Sequence, residues 1–217
     1  MNKITILLVS LFFIHGCAST STGVKFTRES QAKIKNVTIE EIHLPNMPTY
    51  RGLFTSFTNS FAGATGGVIG GLAVAASQDS EEADKSDAGK IKYFLNKNNI
   101  DIKQIFTENL KQTMLETKSF KHTVANRSDA KFEINIISYG LNKAAMSFNS
   151  LTFFMKAQVK LIDNNNNIIW DELAISHHGR ESYDDWLNNS NNFDKSIRAV
   201  IKGIVEFWFN NLVVDKK

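Results

Sequence analysis

The residues able to do covalent or acid–base chemistry are few, and their spacing narrows what they can do. The chain has one cysteine, Cys17. A single thiol excludes an intramolecular disulfide and a thiolate metal cage. Modification of that sulfur is the chemistry left to it. His177 and His178 are the only adjacent histidines. On a strand, neighbours point to opposite faces, so the two do not chelate one ion. His43 and His122 stand at no ligand spacing from either. Adjacent carboxylates occur at Glu81-Glu82 and Asp184-Asp185. General acid–base work needs carboxylates facing across a cleft, and adjacency in a polar stretch describes a solvated surface. There is no Gly-x-Ser-x-Gly, and Gly66-Gly67 and Gly70-Gly71 are not followed by Lys-Ser/Thr, so neither a hydrolase elbow nor a phosphate loop is present. The expectation is a protein that is not an enzyme, with no metal and no cofactor.

Composition agrees with a modest folded domain. Of 217 residues, 42% are hydrophobic and 22% charged, enough apolar content to bury a core. Lys and Arg total 25 against 22 for Asp and Glu. That slight excess is too small to argue for a nucleic-acid partner. The only prolines are Pro45 and Pro48.

The N-terminus explains where Cys17 stands. Residues 1–16 carry one charge, Lys3, before a mostly apolar run from Ile4 to Ile14. A basic start and about ten apolar residues describe a secretory signal peptide, too short to span a bilayer. Ile14-His15-Gly16-Cys17 resembles the lipobox of bacterial lipoproteins, with an aliphatic residue at −3 and a small one at −1. The resemblance implies cleavage before Cys17 and acylation of its sulfur and amine. Several acyl chains would hold the chain on a bilayer, at about 0.8 kcal/mol per buried CH₂. In such lipoproteins Asp after the Cys favours the inner membrane. Ala18-Ser19 follow here, which resembles sorting to the outer membrane, facing the periplasm. Residues 17–32 open with small polar side chains and are expected to be a lipidated flexible tether.

A folded domain is expected over 33–217, interrupted by 52–92. Residues 52–78 carry no charge and 79–92 are acidic. The acidic part reads as a solvated loop. Within the uncharged part, Gly63, Gly66, Gly67, Gly70 and Gly71 fall at spacings of three and four. On a helix, Phe54, Phe57, Phe61, Val68 and Leu72 share about 60° of arc, and the glycines lie opposite. Five helical glycines cost roughly 1 kcal/mol each relative to Ala. Such a helix should not stand alone in water. A bilayer or a second copy would enforce the helix and use the glycine face for close approach. As a helix the segment from Gly52 to Gln78 would be about 40 Å long, against about 30 Å of hydrocarbon. A hairpin dipping into one leaflet, a glycine-rich loop and a helix lying on the protein's own sheet remain as alternatives. The pattern resembles, in type and not in position, the glycine zippers of outer-membrane lipoproteins such as the surface-exclusion lipoproteins of conjugative plasmids. In those, the segment goes with membrane insertion and oligomers.

The remaining elements must carry the fold. Val37 and Ile39 have one parity and Ile42 and Leu44 the other, predicting a strand with a bulge that Pro45 and Pro48 end. Asp101 and Gln104 form a capping pair before the stripe Ile102, Ile105, Phe106, Leu110 and Met114. Phe120–Val124 reads as a short strand. Phe132, Ile134 and Ile136 alternate with polar residues. Leu151, Phe153, Met155, Ala157, Val159 and Leu161 form one strand face, and Phe154 breaks the polarity of the other. Residues 163–167, Asp-Asn-Asn-Asn-Asn, form a turn, and Ile168–Ser176 returns as a hairpin. Residues 184–192 read as a polar loop. There Tyr183 and Trp186 are candidate interface residues, exposed aromatics in a polar stretch. A closing helix near Phe193 presents Ile197, Val200, Ile201, Ile204, Val205, Trp208 and Leu212 on one face.

These elements predict an α+β fold: an antiparallel sheet of four to five strands packed against two helices, with a glycine-rich helical insertion. Val159-Lys160-Leu161-Ile162-Asp163, the turn, Ile168-Ile169-Trp170 and the closing helix resemble small YajG-like and transporter-auxiliary lipoproteins over roughly residues 100–212. The function expected is a structural or assembly role in the cell envelope. The partners expected are a membrane, another copy of the chain or an envelope complex, with no nucleic acid. The alternative is a periplasmic binding module for lipid, glycan or peptide serving an envelope transport system. A large apolar cavity between sheet and helices would favour it.

Overall fold

A computed structural model describes residues 18–19, 24–51, 86–118, 120–124, 127–144 and 150–212. The N-terminal leader, Cys17 and the glycine segment lie outside these residues. The described elements are β1 (Ala18–Ser19), α1 (Arg28–Lys33), β2 (Asn36–His43), β3 (Thr49–Arg51), α2 (Asp87–Lys97) and α3 (Ile102–Thr117). They continue with β4 (Lys121–His122), β5 (Ala130–Lys143), β6 (Leu151–Asp163), β7 (Ile168–Glu181), α4 (Tyr183–Asn188) and α5 (Ser190–Leu212).

The long strands β5, β6 and β7 are consecutive and antiparallel. Their inward set, Phe132, Ile134, Ile136, Phe153, Met155, Ala157, Val159, Leu161 and Trp170, is buried, as the alternation predicts. Asp163 closes the hairpin turn by accepting from the backbone N–H groups of Asn165 and Asn167, each at 2.8 Å. Asn166 takes the positive φ of 62° there, which Asn tolerates.

The sheet is mixed, however, and not purely antiparallel. Among the described residues seven strands run β1-β7-β6-β5-β2-β4, with β3 also on β5. β2 pairs parallel with β5 through a register shift between Ile39 and Ile42, and with β4. β3 also pairs parallel with β5, farther along it. Pro45 and Pro48 thus interrupt one edge without reversing it, because proline removes ladder donors yet permits extended backbone. Gly140 admits this approach. Its φ is +142°, and a Cβ there would lie 2.0 Å from the Thr49 carbonyl oxygen.

One sheet face is covered by helices. α5 packs on β6 and β7, and α3 packs on α5. Phe193, Ile197, Val200, Ile201, Ile204, Val205, Trp208 and Leu212 are all buried, the single broad stripe that the spacing predicts. Asp101 caps α3 by accepting from the Gln104 N–H at 3.0 Å. The stripe from Ile102 to Met114 is buried behind it. Two aromatic clusters fill the two ends of this layer. Phe26, Phe120, Phe132, Trp170 and Phe209 meet at one end, and Phe94, Phe153, Trp186 and Phe193 at the other.

Three further expectations change. There are five helices among the described residues, not two. The expected tether contains α1 and the buried Phe26. Thr27 caps that helix by accepting from the Ser30 N–H, and Phe26 gains more by burial against Phe120 than by solvation. The expected acidic loop ends early, because Ser86 caps α2 through the Gly89 N–H at 3.0 Å, and Ile91 and Leu95 are buried.

Candidate functional site

The two aromatics expected to face a partner sit at the start of α4, and the structure separates their roles. Ser182 caps α4 by accepting from the Asp185 N–H at 3.2 Å, so residues 183–188 are helical instead of the expected polar loop. Trp186 turns inward and is fully buried. Its indole Nε1–H donates to the Leu151 carbonyl at 3.1 Å, and its ring meets Phe193 edge-on at 5.2 Å. Trp186 is therefore a core residue, not an interface residue. Its surroundings require Gly179, whose φ is +77° and where a Cβ would lie 2.5 Å from the indole. A buried indole with its one donor satisfied contributes packing, not recognition.

Tyr183 is half-buried and joins distant parts of the chain. Its hydroxyl donates to Asp87 Oδ1 at 3.1 Å. Its ring meets Tyr50 edge-on at 5.2 Å. Burial raises the Tyr183 pKa most, with the hydrogen bond and charge of Asp87 adding to it. Burial and then Asp87 raise Tyr50 as well. Both phenols therefore stay neutral, and Tyr183 stays a donor, across the usual pH range.

This bridge defines a place in the fold. Tyr50 precedes residues 52–85 and Asp87 follows them. The chain leaves β3 and returns to α2 within reach of one tyrosine. Arg51, the last residue of β3, lies over the Phe154 ring at 5.8 Å. His177 stacks near the same ring at 6.0 Å. Phe154 is the residue that broke the alternation of β6. It is 4% exposed although it lies on the face opposite the helices. Its irregular position in the pattern was the one sign of this cluster. Nothing in the local sequence marked Tyr50 or Asp87.

The same end of the sheet carries a second chain exit. The Ala144 N–H donates to the Ser150 carbonyl at 2.9 Å, closing the ladder before the β5–β6 connection. β1 pairs antiparallel with β7, Ala18 opposite Ile175 and Ser19 opposite Ala174.

The histidine pair divides between the two faces, as strand geometry requires. His177 lies on Phe154, and His178 Nδ1 lies 3.3 Å from Ser196 Oγ on α5. Ser196 is 5% exposed beneath the sheet. A hydroxyl held there ties β7 to α5 and is out of reach of a substrate. Among the described residues no group of three or more His, Cys, Asp or Glu could hold a metal, and no helix is long and apolar enough to cross a membrane. Cys17 and the insertion residues Phe54, Phe57, Phe61, Gly63, Gly66, Gly67, Gly70, Gly71 and Leu72 lie outside the described residues.

No protein-family model and no curated protein matches the sequence. Several solved structures share part of the fold. A Xanthomonas campestris protein described by family DUF330 has a TM-score of 0.40 at 9% identity, covering 49% of this chain and 58% of that one. A PelC dodecamer from Paraburkholderia phytofirmans has 0.43 at 8%, covering 91% and 98%. A minor lipoprotein from Acinetobacter baumannii has 0.31 at 10%, covering 50% and 85%. This chain thus spans little more than half of the DUF330 protein's length. Scores and identities this low describe a partial likeness of α+β fold among proteins that include a lipoprotein, and carry nothing about activity or partners.

Proposed function

We propose that this chain is a lipid-anchored protein of the cell envelope with a structural or assembly role. Cys17 is the anchor, and residues 52–78 enter the membrane or pack against other copies. The reading places the protein at the outer membrane, facing the periplasm, and gives it no enzymatic activity. The observation that carries it is the position of Cys17: the sole thiol directly follows a signal-like leader and stands one residue before β1.

The Tyr50–Tyr183–Asp87 bridge supports a particular form of this reading. Both ends of 52–85 are tied to one place. A single crossing of about 30 Å of hydrocarbon would part those ends. The charged residues between Asp79 and Lys85 would then have to recross the bilayer, at several kcal/mol each. An out-and-back excursion, or helix packing between copies, meets the constraint without that penalty.

The binding-module alternative needs an apolar cavity between sheet and helices. Among the described residues that layer is filled by rings, with Phe106 on Trp208 at 5.6 Å and Phe153 on Phe193 at 5.6 Å. A cleft of about 170 Å³ between α3 and α5 is lined by polar groups including Asp101, Glu108, Asp194 and Arg198. It is a poor fit to a lipid.

Deletion of 54–76 with the anchor retained tests the reading. Smaller assemblies in detergent, or loss of residual membrane retention in Cys17→Ser, are expected. Unchanged assembly size together with unchanged extraction would sink the role of the segment.

A further inference from the structure

We propose that the edge strand β4 and the C-terminal turns of α3 form a docking surface for an extended acidic segment of a partner protein. The inference rests on the assembly reading and deepens it, because it names the surface and the chemistry of the contact. It requires neither acylation of Cys17 nor any part of residues 52–78.

The distribution of ion pairs carries it. Lys103, Lys131 and Lys160 hold Glu41, Glu40 and Glu133. Around β4 that pattern stops. Lys111, Lys118, Lys121 and Arg127 are exposed, and among the described residues none of them pairs with a carboxylate. The carboxylates near them in sequence are otherwise engaged. Glu108 lies 3.8 Å from Arg198, Glu116 accepts from Gln112 at 2.7 Å, and Asp129 accepts from the Lys35 and Asn36 backbone N–H groups. Leu115 and Val124 are exposed among these cations, at 72% and 62%. Lysine on an edge strand guards against mispairing, and a cation suits a helix C-terminus. Neither role calls for two exposed aliphatic side chains beside it, whereas an interaction surface does.

The geometry selects an extended chain. Lys111, Leu115 and Lys118 recur at four and three residues and share one side of α3. β4 pairs with β2, Lys121 opposite Asn36 and His122 opposite Val37. Val37 is fully buried, so His122 takes the helix side of the sheet and Lys121 the other. Burial and then the charge of Lys111 lower the His122 pKa, which sets the α3 cations beside that side of β4. Cations therefore flank the strand on both faces. A chain laid along β4 sends alternate side chains to the two faces and reaches both. A planar headgroup layer meets one. The backbone agrees. The Lys121 and Thr123 N–H groups donate to the Lys35 and Val37 carbonyls of the β2 side, at 2.8 and 2.9 Å. The His122 N–H between them points away from β2, and among the described residues it has no acceptor. An added strand takes such a donor.

The test uses the whole chain after residue 16 with Cys17→Ser, and a fluorescent synthetic peptide of Glu and Val as the probe. Anisotropy should report binding that weakens at least about tenfold as salt rises toward about 1 M, where the Debye length is about 3 Å. That arm needs no substitution in the surface. Lys111→Gln, Lys118→Gln and Lys121→Gln together should weaken binding by a similar factor. An equal loss of charge elsewhere, through Lys90→Gln, Lys160→Gln and Lys202→Gln together, should change it by less than about twofold. The bound peptide should also slow amide exchange at His122 by at least about tenfold. No peptide binding, equal losses in the two triple variants, or unchanged exchange at His122 overturns the proposal. So does tighter binding to phosphatidylglycerol vesicles than to the peptide, which makes this a membrane face. Self-association lost in the first triple variant also overturns it, by making this a contact between copies. Failure of the assembly reading has a different signature: deletion of 54–76 leaves assembly size and extraction unchanged while the peptide still binds.

Discussion

The Tyr183 hydroxyl donates to Asp87 across 96 residues of sequence, at 3.1 Å, and in doing so ties the start of α2 to the start of α4. Asp87 also pairs with Lys90 at 3.2 Å on an exposed helix face, a contact that contributes little. The tyrosine bond is the stronger tie because its donor is half-buried and its acceptor charged. Tyr183→Phe keeps the ring contact with Tyr50 and removes only the bond. It should lower stability by about 1 kcal/mol, read as a melting point lower by roughly 2–4 °C. An unchanged melting point would show that the bond contributes nothing.

Trp186 and Gly179 test the reassignment of the α4 aromatics. Trp186→Ala should destabilise the domain by about 3–5 kcal/mol, the range for emptying a buried aromatic site. Gly179→Ala should cost about 1–3 kcal/mol, since its Cβ would meet the indole at 2.5 Å. A partner-contact role for Trp186 would instead leave the urea midpoint of both variants near that of the parent.

These residues also mark where the sequence could be read and where it could not. The stripes of α3 and α5, the β6–β7 hairpin, its asparagine turn and the bulge of β2 follow from spacing, because each is a local pattern repeated over many residues. Trp186 misled because it is one aromatic in a polar run. Its burial depends on Gly179 and Leu151, which only the folded chain brings near. Helix α2 was hidden because Asp87, Lys90 and Lys92 surround Ile91, Phe94 and Leu95. The parallel placement of β2 and β3 has no local signature at all. Of the candidate site, Phe154 was visible as an irregularity. The Tyr50–Tyr183–Asp87 bridge was not, since it joins residues from three separate elements.

Asp129, just before β5, provides a pH-dependent prediction. Its carboxylate accepts the Asn36 and Lys35 backbone N–H groups at 2.8 and 3.0 Å. Those bonds hold its pKa below the usual carboxylate value, with the Asn36 bond the larger cause. A folded-state pKa below the unfolded one stabilises above the unfolded value, near 3.9. That contribution disappears as pH falls through the folded value. Urea midpoints of the parent should therefore decline below about pH 4 more steeply than those of Asp129→Asn. Parallel profiles would show that Asp129 is not the group responsible.

The proposed envelope role turns on the lipidation of Cys17. The most direct measurement is the intact mass, with N-terminal peptide mapping, of the protein recovered from the membranes of a Gram-negative host. The expected product is a chain beginning at Cys17, without residues 1–16, and heavier by a diacylglyceryl group and an amide-linked acyl chain. A Cys17→Ser protein should lack all of that added mass. An unmodified Cys17, or a chain that retains its leader while folded and stable in the envelope, would contradict it.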